Sequence, residues 1–341
     1  MKATTTHDIV VAGFNPAWQK TLRFDAFRYK QINRASSLFE ISAGKGINVV
    51  RALRAIGADG VVVQFAGGPA GDLVCDDLDA EGVPHVTVRT EGSTRTCTTI
   101  LSEHDRSMTE LIEPSGEVSD LEVEAVAQRL LQQAAGCRCL AVCGTYPPGV
   151  PPEIYARVIA KARARALVCL DAWRGVVDAL EAGPHILKVN VSELQELTGC
   201  TTADDAARTC FDRWPVAVLA LTAGPGNAFL YTRRRGWCFS VPPISDIESP
   251  LGAGDCATGV FLYHTLAQLS NASGANTAAS SLPARLLSAD LTDPFRRALA
   301  AATASCLTDV PARFSPEAAE EILPDVHAAP LPAGRWAGDA A

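Results

Sequence analysis

The segment that decides the fold opens on the apolar run Leu140-Ala141-Val142-Cys143 and closes on Leu167-Val168-Cys169-Leu170-Asp171, with a helix-patterned stretch at 153–164 between them. A run of four or five apolar residues on each side of an amphipathic helix reads as two strands joined by a crossover. The same rhythm extends in both directions. Further apolar runs stand at 61–65, 186–189 and 216–221, and helical patterns at 47–56, 72–81, 121–135 and 203–213. Strands apolar throughout, each followed by a helix, predict an α/β protein with a parallel sheet covered on both faces.

Two stretches break the rhythm. At 21–42 and 86–113 polar and apolar residues mix at short period without a helix between. This predicts antiparallel strands in a small accessory sheet, placed as a lid over the main domain or as an extension of its edge. The stretch at 270–281 is small and polar and reads as a surface insertion, and the residues after Pro330 read as a tail. The organisation expected is one domain over 1–325 with a C-terminal tail at 326–341.

Composition narrows the function. The 341 residues are 48% hydrophobic, enough for a large core, and the net charge of −8 disfavours nucleic acid and anionic membranes as partners. The first residues lack the apolar stretch of a signal peptide, and no run reaches membrane-spanning length, so a cytoplasmic protein is expected. The eleven cysteines lie mostly inside apolar runs and read as reduced core residues. Cys137, Cys139 and Cys143 lack zinc-site spacing.

Among the motifs, Ser249-Pro250-Leu251-Gly252-Ala253-Gly254-Asp255-Cys256 is the strongest. Small residues let backbone N–H groups approach a ligand, and the helix that follows adds a potential favourable to anions. Asp255 at the mouth of such a cradle is placed to accept the proton of an attacking hydroxyl. A helix-capping aspartate explains the same residue without chemistry. The segment also fits a loose dinucleotide fingerprint, but it follows a Ser-Pro loop and sets an acid against the phosphate position, which argues against an oxidoreductase.

Ser42-Ala43-Gly44-Lys45-Gly46-Ile47-Asn48 joins an extended segment to a helix and can hold an anion by backbone and ammonium together, without being a Walker A loop. Arg34 and Arg95 in the lid stretches are further phosphate candidates, with surface ion pairs as the plain alternative. Lys188-Val189-Asn190-Val191-Ser192-Glu193 ends a strand and starts a helix. A capping box accounts for Asn190 and Glu193; the same geometry would hold Mg²⁺ through water. Thr222, Gly224 and Gly226 form a tight turn after another strand, fit either for nucleotide phosphates or for a hairpin.

These pieces, in this order, resemble the PfkB, or ribokinase-like, carbohydrate kinases, and within them the 1-phosphofructokinase and tagatose-6-phosphate kinase branch. The likeness is carried by Asn15-Pro16-Ala17, Gly44 to Asn48, Thr94-Arg95, Glu110 to Pro114, Gly144 with Pro147-Pro148-Gly149, Lys188-x-Asn190-x-x-Glu193 and Gly252 to Asp255. The resemblance implies a Rossmann-type three-layer sandwich with a β-sheet lid, ATP and Mg²⁺ as co-substrate and metal, and phosphoryl transfer to a sugar hydroxyl. It casts Asp255 as base and Gly252, Ala253 and Gly254 as anion hole. Lys188, Asn190, Glu193, Thr222, Gly224 and Gly226 fall on the nucleotide side, with Asn190 and Glu193 toward the metal. Asn15, Gln19, Arg34, Gly44, Lys45, Asn48 and Arg95 fall on the sugar or sugar-phosphate side. A homodimer through the lid is implied by analogy.

The departures lie on the substrate side: Gln19 where the branch usually has Asp, Ala43 for Gly, Thr145-Tyr146 for Ser-Leu, and Val189 for Pro. Gln offers a donor and an acceptor on a longer stem where a carboxylate would only accept. A phosphorylated ketohexose of the fructose 1-phosphate or tagatose 6-phosphate type is the acceptor expected. An unphosphorylated sugar or nucleoside, or a binding protein with impaired catalysis, are the alternatives.

Overall fold

The computed structural model describes residues 7–271 and 281–332. In chain order its strands are β1 (Ile9–Ala12), β2 (Ala17–Phe24), β3 (Ser37–Ala43), β4 (Gly60–Gly67), β5 (His85–Thr90), β6 (Arg95–Ser102), β7 (Ser107–Ile112), β8 (Cys139–Cys143), β9 (Leu167–Asp171), β10 (Ile186–Asn190), β11 (Val218–Thr222), β12 (Ala228–Thr232), β13 (Gly236–Ser240) and β14 (His327–Pro330). The helices that concern the site are α1 (Lys45–Ala55), α2 (Gly68–Glu81), α3 (Asp120–Ala134), α4 (Glu153–Ala162), α5 (Val177–Glu181), α6 (Val191–Thr198), α7 (Ala203–Arg213), α8 (Ala253–Asn271), α9 (Leu282–Ser288) and α10 (Thr292–Ser305).

Ten strands form one sheet in the order β14-β13-β12-β11-β10-β9-β8-β1-β4-β5. From β11 through β5 every neighbouring pair is parallel, and β12, β13 and β14 add an antiparallel edge. Alternation along β1 shows why there are three layers. Ile9 and Val11 enter one hydrophobic cluster, with Ile47, Leu53, Phe261 and Phe295 of α1, α8 and α10. Val10 and Ala12 enter the other, with Leu130, Tyr155 and Phe211 of α3, α4 and α7. A strand buried on both faces must be apolar at every position, which is the pattern read in the sequence. The chain leaves β1 toward β4 on one side and returns to β8 on the other. That reversal opens a crevice at the carboxyl ends of the strands, where ligands bind in open α/β sheets.

The second sheet, in the order β3-β2-β6-β7, is the accessory sheet. Its outer pairs are antiparallel, but β2 and β6 run parallel, Gln19 opposite Cys97. Two boundaries differ from the sequence reading. Strand β5, at the start of the 86–113 stretch, pairs with β4 in the main sheet, Val63 opposite Val86. Being half-buried at an edge, it carries the mixed pattern of a lid strand. Strand β14 occupies the 326–341 segment read as tail, with His327 opposite Ser240. Residues 333–341 of that tail, and most of the insertion at 270–281, lie outside the described residues.

Candidate active site

Strand ends set the positions. Asp171 is the last residue of β9, Asn190 of β10 and Thr222 of β11, and the register places Asn190 beside Thr222. Helices α1 and α8 begin at the same edge, so Lys45 and Asn48 from the N-terminal third meet Asp255 from the C-terminal third. Their approach depends on glycine. A Cβ on Gly46 would stand 2.6 Å from the Gly13 Cα, which lets the start of α1 sit on the end of β1. Gly252 has φ +74°, and a Cβ there would stand 2.9 Å from the Ala312 backbone nitrogen. Both the dihedral and the space require glycine at 252.

The centre is a cluster of two carboxylates and two ammonium groups. Asp171 is fully buried; its Oδ1 receives Lys45 Nζ at 2.6 Å, and its Oδ2 accepts from Thr258 Oγ1 at 2.5 Å with Lys188 Nζ at 3.5 Å. Asp255 is 7% exposed, and its Oδ2 accepts from Asn48 Nδ2 at 2.8 Å. A Cβ on Gly254 would lie 3.0 Å from Lys188 Nζ, so this lysine lies against the backbone of the helix start. The four side chains come from β9, β10, α1 and α8.

Electrostatics separates the two carboxylates. For Asp171, burial alone would raise the pKa, but Lys188, Lys45 and the hydrogen bonds from Lys45 and Thr258 hold it below the usual carboxylate range. For Asp255, burial pushes the pKa up to about 6, aided by repulsion from Asp171 and opposed by Lys45, Lys188 and Asn48. The two environments thus push the paired carboxyls in opposite directions. Burial would depress the Lys45 ammonium, yet Asp171, Asp255 and Glu193 outweigh it and hold the pKa above its ordinary value. That Glu193 acts on Lys45 brings the strand-end acid of α6 into the same field.

Around this centre the predicted residues fall into three groups. Lys45, Asn48, Lys188 and Asp255, with the glycines of 252–254, form the cluster. Asn190 and Glu193 form a closed capping box, each backbone N–H donating to the other side chain at 2.8 Å. Glu193 Oε1 is not used in that exchange and remains for a further partner. Asn15 donates from Nδ2 to Thr145 Oγ1 at 3.1 Å and accepts from Ser115 at 2.6 Å, and Arg95 Nη2 donates to the Asn15 carbonyl at 3.2 Å. Arg95 Nε is buried without a partner. An unpaired buried guanidinium N–H is costly.

Other residues stand further off. Gln19 is buried in the lid and donates to Thr99 Oγ1 at 2.9 Å and to the Lys20 carbonyl at 3.2 Å. Gly224 and Gly226 lie in the exposed turn of the β11–β12 hairpin, where Gly226 N donates to the Ala223 carbonyl at 3.0 Å. Arg34 is exposed on the β2–β3 connection, and no described hydrogen bond or ion pair ties it to the cluster. Sequence reading missed Asp171 and Thr258. The available signal was a carboxylate closing an apolar strand at the ligand edge of the sheet.

Together, the fold and the cluster define a class: a ribokinase-like α/β enzyme with a charged cluster at the strand ends and a small accessory sheet. The family description "pfkB family carbohydrate kinase" matches residues 13–317. A curated 1-phosphofructokinase of Rhodobacter capsulatus is 30% identical over 263 residues, spanning 75% of this chain and 83% of that protein. Among solved structures, phosphofructokinase-2 of Escherichia coli in complex with potassium superposes with a TM-score of 0.80 at 22% identity, covering 94% of this chain and 99% of that one. Ribokinase of Giardia lamblia gives a TM-score of 0.76 at 15% identity, covering 94% and 99%. The chain belongs to the pfkB family of carbohydrate kinases.

Proposed function

We propose that this kinase transfers the γ-phosphoryl group of ATP to a hydroxyl of a phosphorylated ketohexose of the fructose 1-phosphate or tagatose 6-phosphate type, with Asp255 as general base. The observation that carries the reading is the Asp255 carboxylate, buried at the start of α8 and pushed up to about 6 beside an acid that stays ionised. A base with a pKa just below working pH combines the ionised form with useful basicity. The acceptor hydroxyl gives its proton to Asp255 as its oxygen bonds to the γ-phosphorus; the bond from that phosphorus to the bridging oxygen breaks, and ADP departs. The backbone N–H groups of Gly252 and Gly254, with the Lys188 ammonium beside Gly254, are the donors that would meet the charge building on the transferring group, the Ala253 N–H being taken by the Pro250 carbonyl.

Glu193 and Asn190 are the residues fitted to hold Mg²⁺ through water, since Glu193 keeps one carboxylate oxygen outside the capping box, whereas Asp171 is already engaged by Lys45, Lys188 and Thr258. An ion held there would neutralise charge on the nucleotide phosphates. The Lys45 ammonium, part-exposed beside Asp171, and the Arg95 guanidinium, tied to the Asn15 carbonyl, supply the cations for the phosphate already on the sugar. The exposed Leu38 and Leu111, which the register places on one face of the lid sheet, support pairing of two lids in a homodimer, which sedimentation would detect.

The test is ADP release across a panel of sugars, sugar phosphates and nucleosides, with Asp255→Asn as control. Turnover of a ketohexose phosphate, lost in the variant, is expected; turnover of unphosphorylated sugars or nucleosides alone would refute the acceptor assignment. Arg95→Met should raise the KM for the sugar phosphate about tenfold or more, the value of a charge-assisted contact, without a matching change for ATP.

A further inference from the structure

Arg51 lies one turn beyond Asn48 on α1, is 4% exposed, and has every guanidinium nitrogen engaged. Nε donates to Glu81 Oε2 of α2 at 3.0 Å. Nη2 donates at 3.1 Å to both the carbonyl and the hydroxyl of Ser42, near the end of lid strand β3. Nη1 donates to Asn48 Oδ1 at 3.2 Å and, more weakly, to the Pro311 carbonyl at 3.5 Å. The far side of Glu81 accepts from Arg313 at 3.1 Å, which anchors the acid that anchors the arginine.

The consequence lies in the amide of Asn48. A carboxamide has one end that accepts and one that donates. With a guanidinium on its oxygen, its NH₂ must face Asp255 Oδ2, the 2.8 Å bond described above. Turned over, it would set oxygen against carboxylate and NH₂ against guanidinium, two repulsive contacts in a buried site. We propose that Arg51 is a positioning residue for phosphoryl transfer, fixing the Asn48 amide and through it the Asp255 carboxylate, and tying both to the root of lid strand β3. The inference rests on the reading of Asp255 as base. The base would then be registered to the lid by a buried side chain whose guanidinium nitrogens are all bonded within the protein.

The experiment is a double-mutant cycle of Arg51→Lys and Asn48→Ala, with kcat and KM measured by ADP release on whichever acceptor of the panel is turned over fastest. Each single variant should lower kcat about tenfold or more, with KM for ATP changed less than about threefold, and the double variant should fall within about threefold of the worse single, because both remove one chain of contacts. Losses that multiply, or an unchanged kcat in Arg51→Lys, would overturn the proposal. Should Arg51→Lys fail to fold, Ser42→Ala with Glu81→Gln loosens the guanidinium in its place; the same non-additivity with Asn48→Ala is expected, and multiplying losses again refute it. Asp255→Asn separates the two levels: full activity there defeats the base assignment, whereas an inactive Asp255→Asn with a multiplicative cycle defeats only the role of Arg51.

Discussion

Replacing Asp255 by asparagine should stabilise the protein while removing its chemistry. A carboxyl moved from 3.8 to about 6 on folding is costly to keep ionised, at about 1.4 kcal/mol per pH unit, so the cost is about 3 kcal/mol above pH 6. The sign follows from the raised value. The folded state holds the proton more tightly than the unfolded chain, so this contribution to stability is greatest below pH 3.8 and is lost as pH climbs through about 6. Asparagine carries no charge to bury and still offers an oxygen to Asn48 Nδ2. Thermal unfolding followed by circular dichroism at pH 5, 6, 7 and 8 should show Asp255→Asn melting higher by a few degrees at pH 8, with a smaller gap at pH 5. A helix-capping role predicts otherwise, because asparagine caps as well as aspartate and the difference would be near zero at every pH. An unchanged or lowered melting temperature at pH 8, or a gap that does not widen with pH, would refute the reasoning.

The acidic limb of kcat/KM should fall near pH 6, with activity rising as Asp255 ionises, and Asp171→Asn should move that limb to lower pH by removing a repelling carboxylate; a limb that stays in place reports another group, such as the substrate phosphate. Asp171→Asn should also cost about 3–5 kcal/mol in urea unfolding, because Lys45 and Lys188 lose the carboxylate that pairs them; a cost below about 1 kcal/mol would show the pair to be solvent-screened. Gly252→Ala should lower stability by at least about 1 kcal/mol and depress kcat, since the new Cβ meets a backbone nitrogen in a conformation with φ +74°; a neutral melt would mean the loop can move.

The central strands were readable because a strand covered on both faces has no polar position to confuse its pattern, as in β8 and β9. Gly252 and Gly46 stood out as close-approach positions, and the structure shows what approaches them: the chain's own backbone at Ala312 and Gly13. Edge elements were harder. β5 is half-buried and β14 exposed at every position, so neither carries an alternation that says which sheet it joins, and only the pairing with β4 and β13 decides it. Asp171 went unrecognised because its meaning comes from partners distant in sequence, Lys45 and Thr258, 126 and 87 residues away. Nothing local distinguishes it from a residue that merely ends a strand. Arg51 drew no reading in the sequence, since only the bonds from α1 to β3 and α2 enclose it.

The most direct measurement is transfer of label from ATP carrying ³²P in the γ position to fructose 1-phosphate or tagatose 6-phosphate in a single turnover, with ATP binding measured in parallel. The wild-type protein should label the sugar, and Asp255→Asn should bind ATP normally while transferring about a thousandfold more slowly. Labelled sugar formed at wild-type rate by the variant would contradict the assignment of the buried carboxylate as the base.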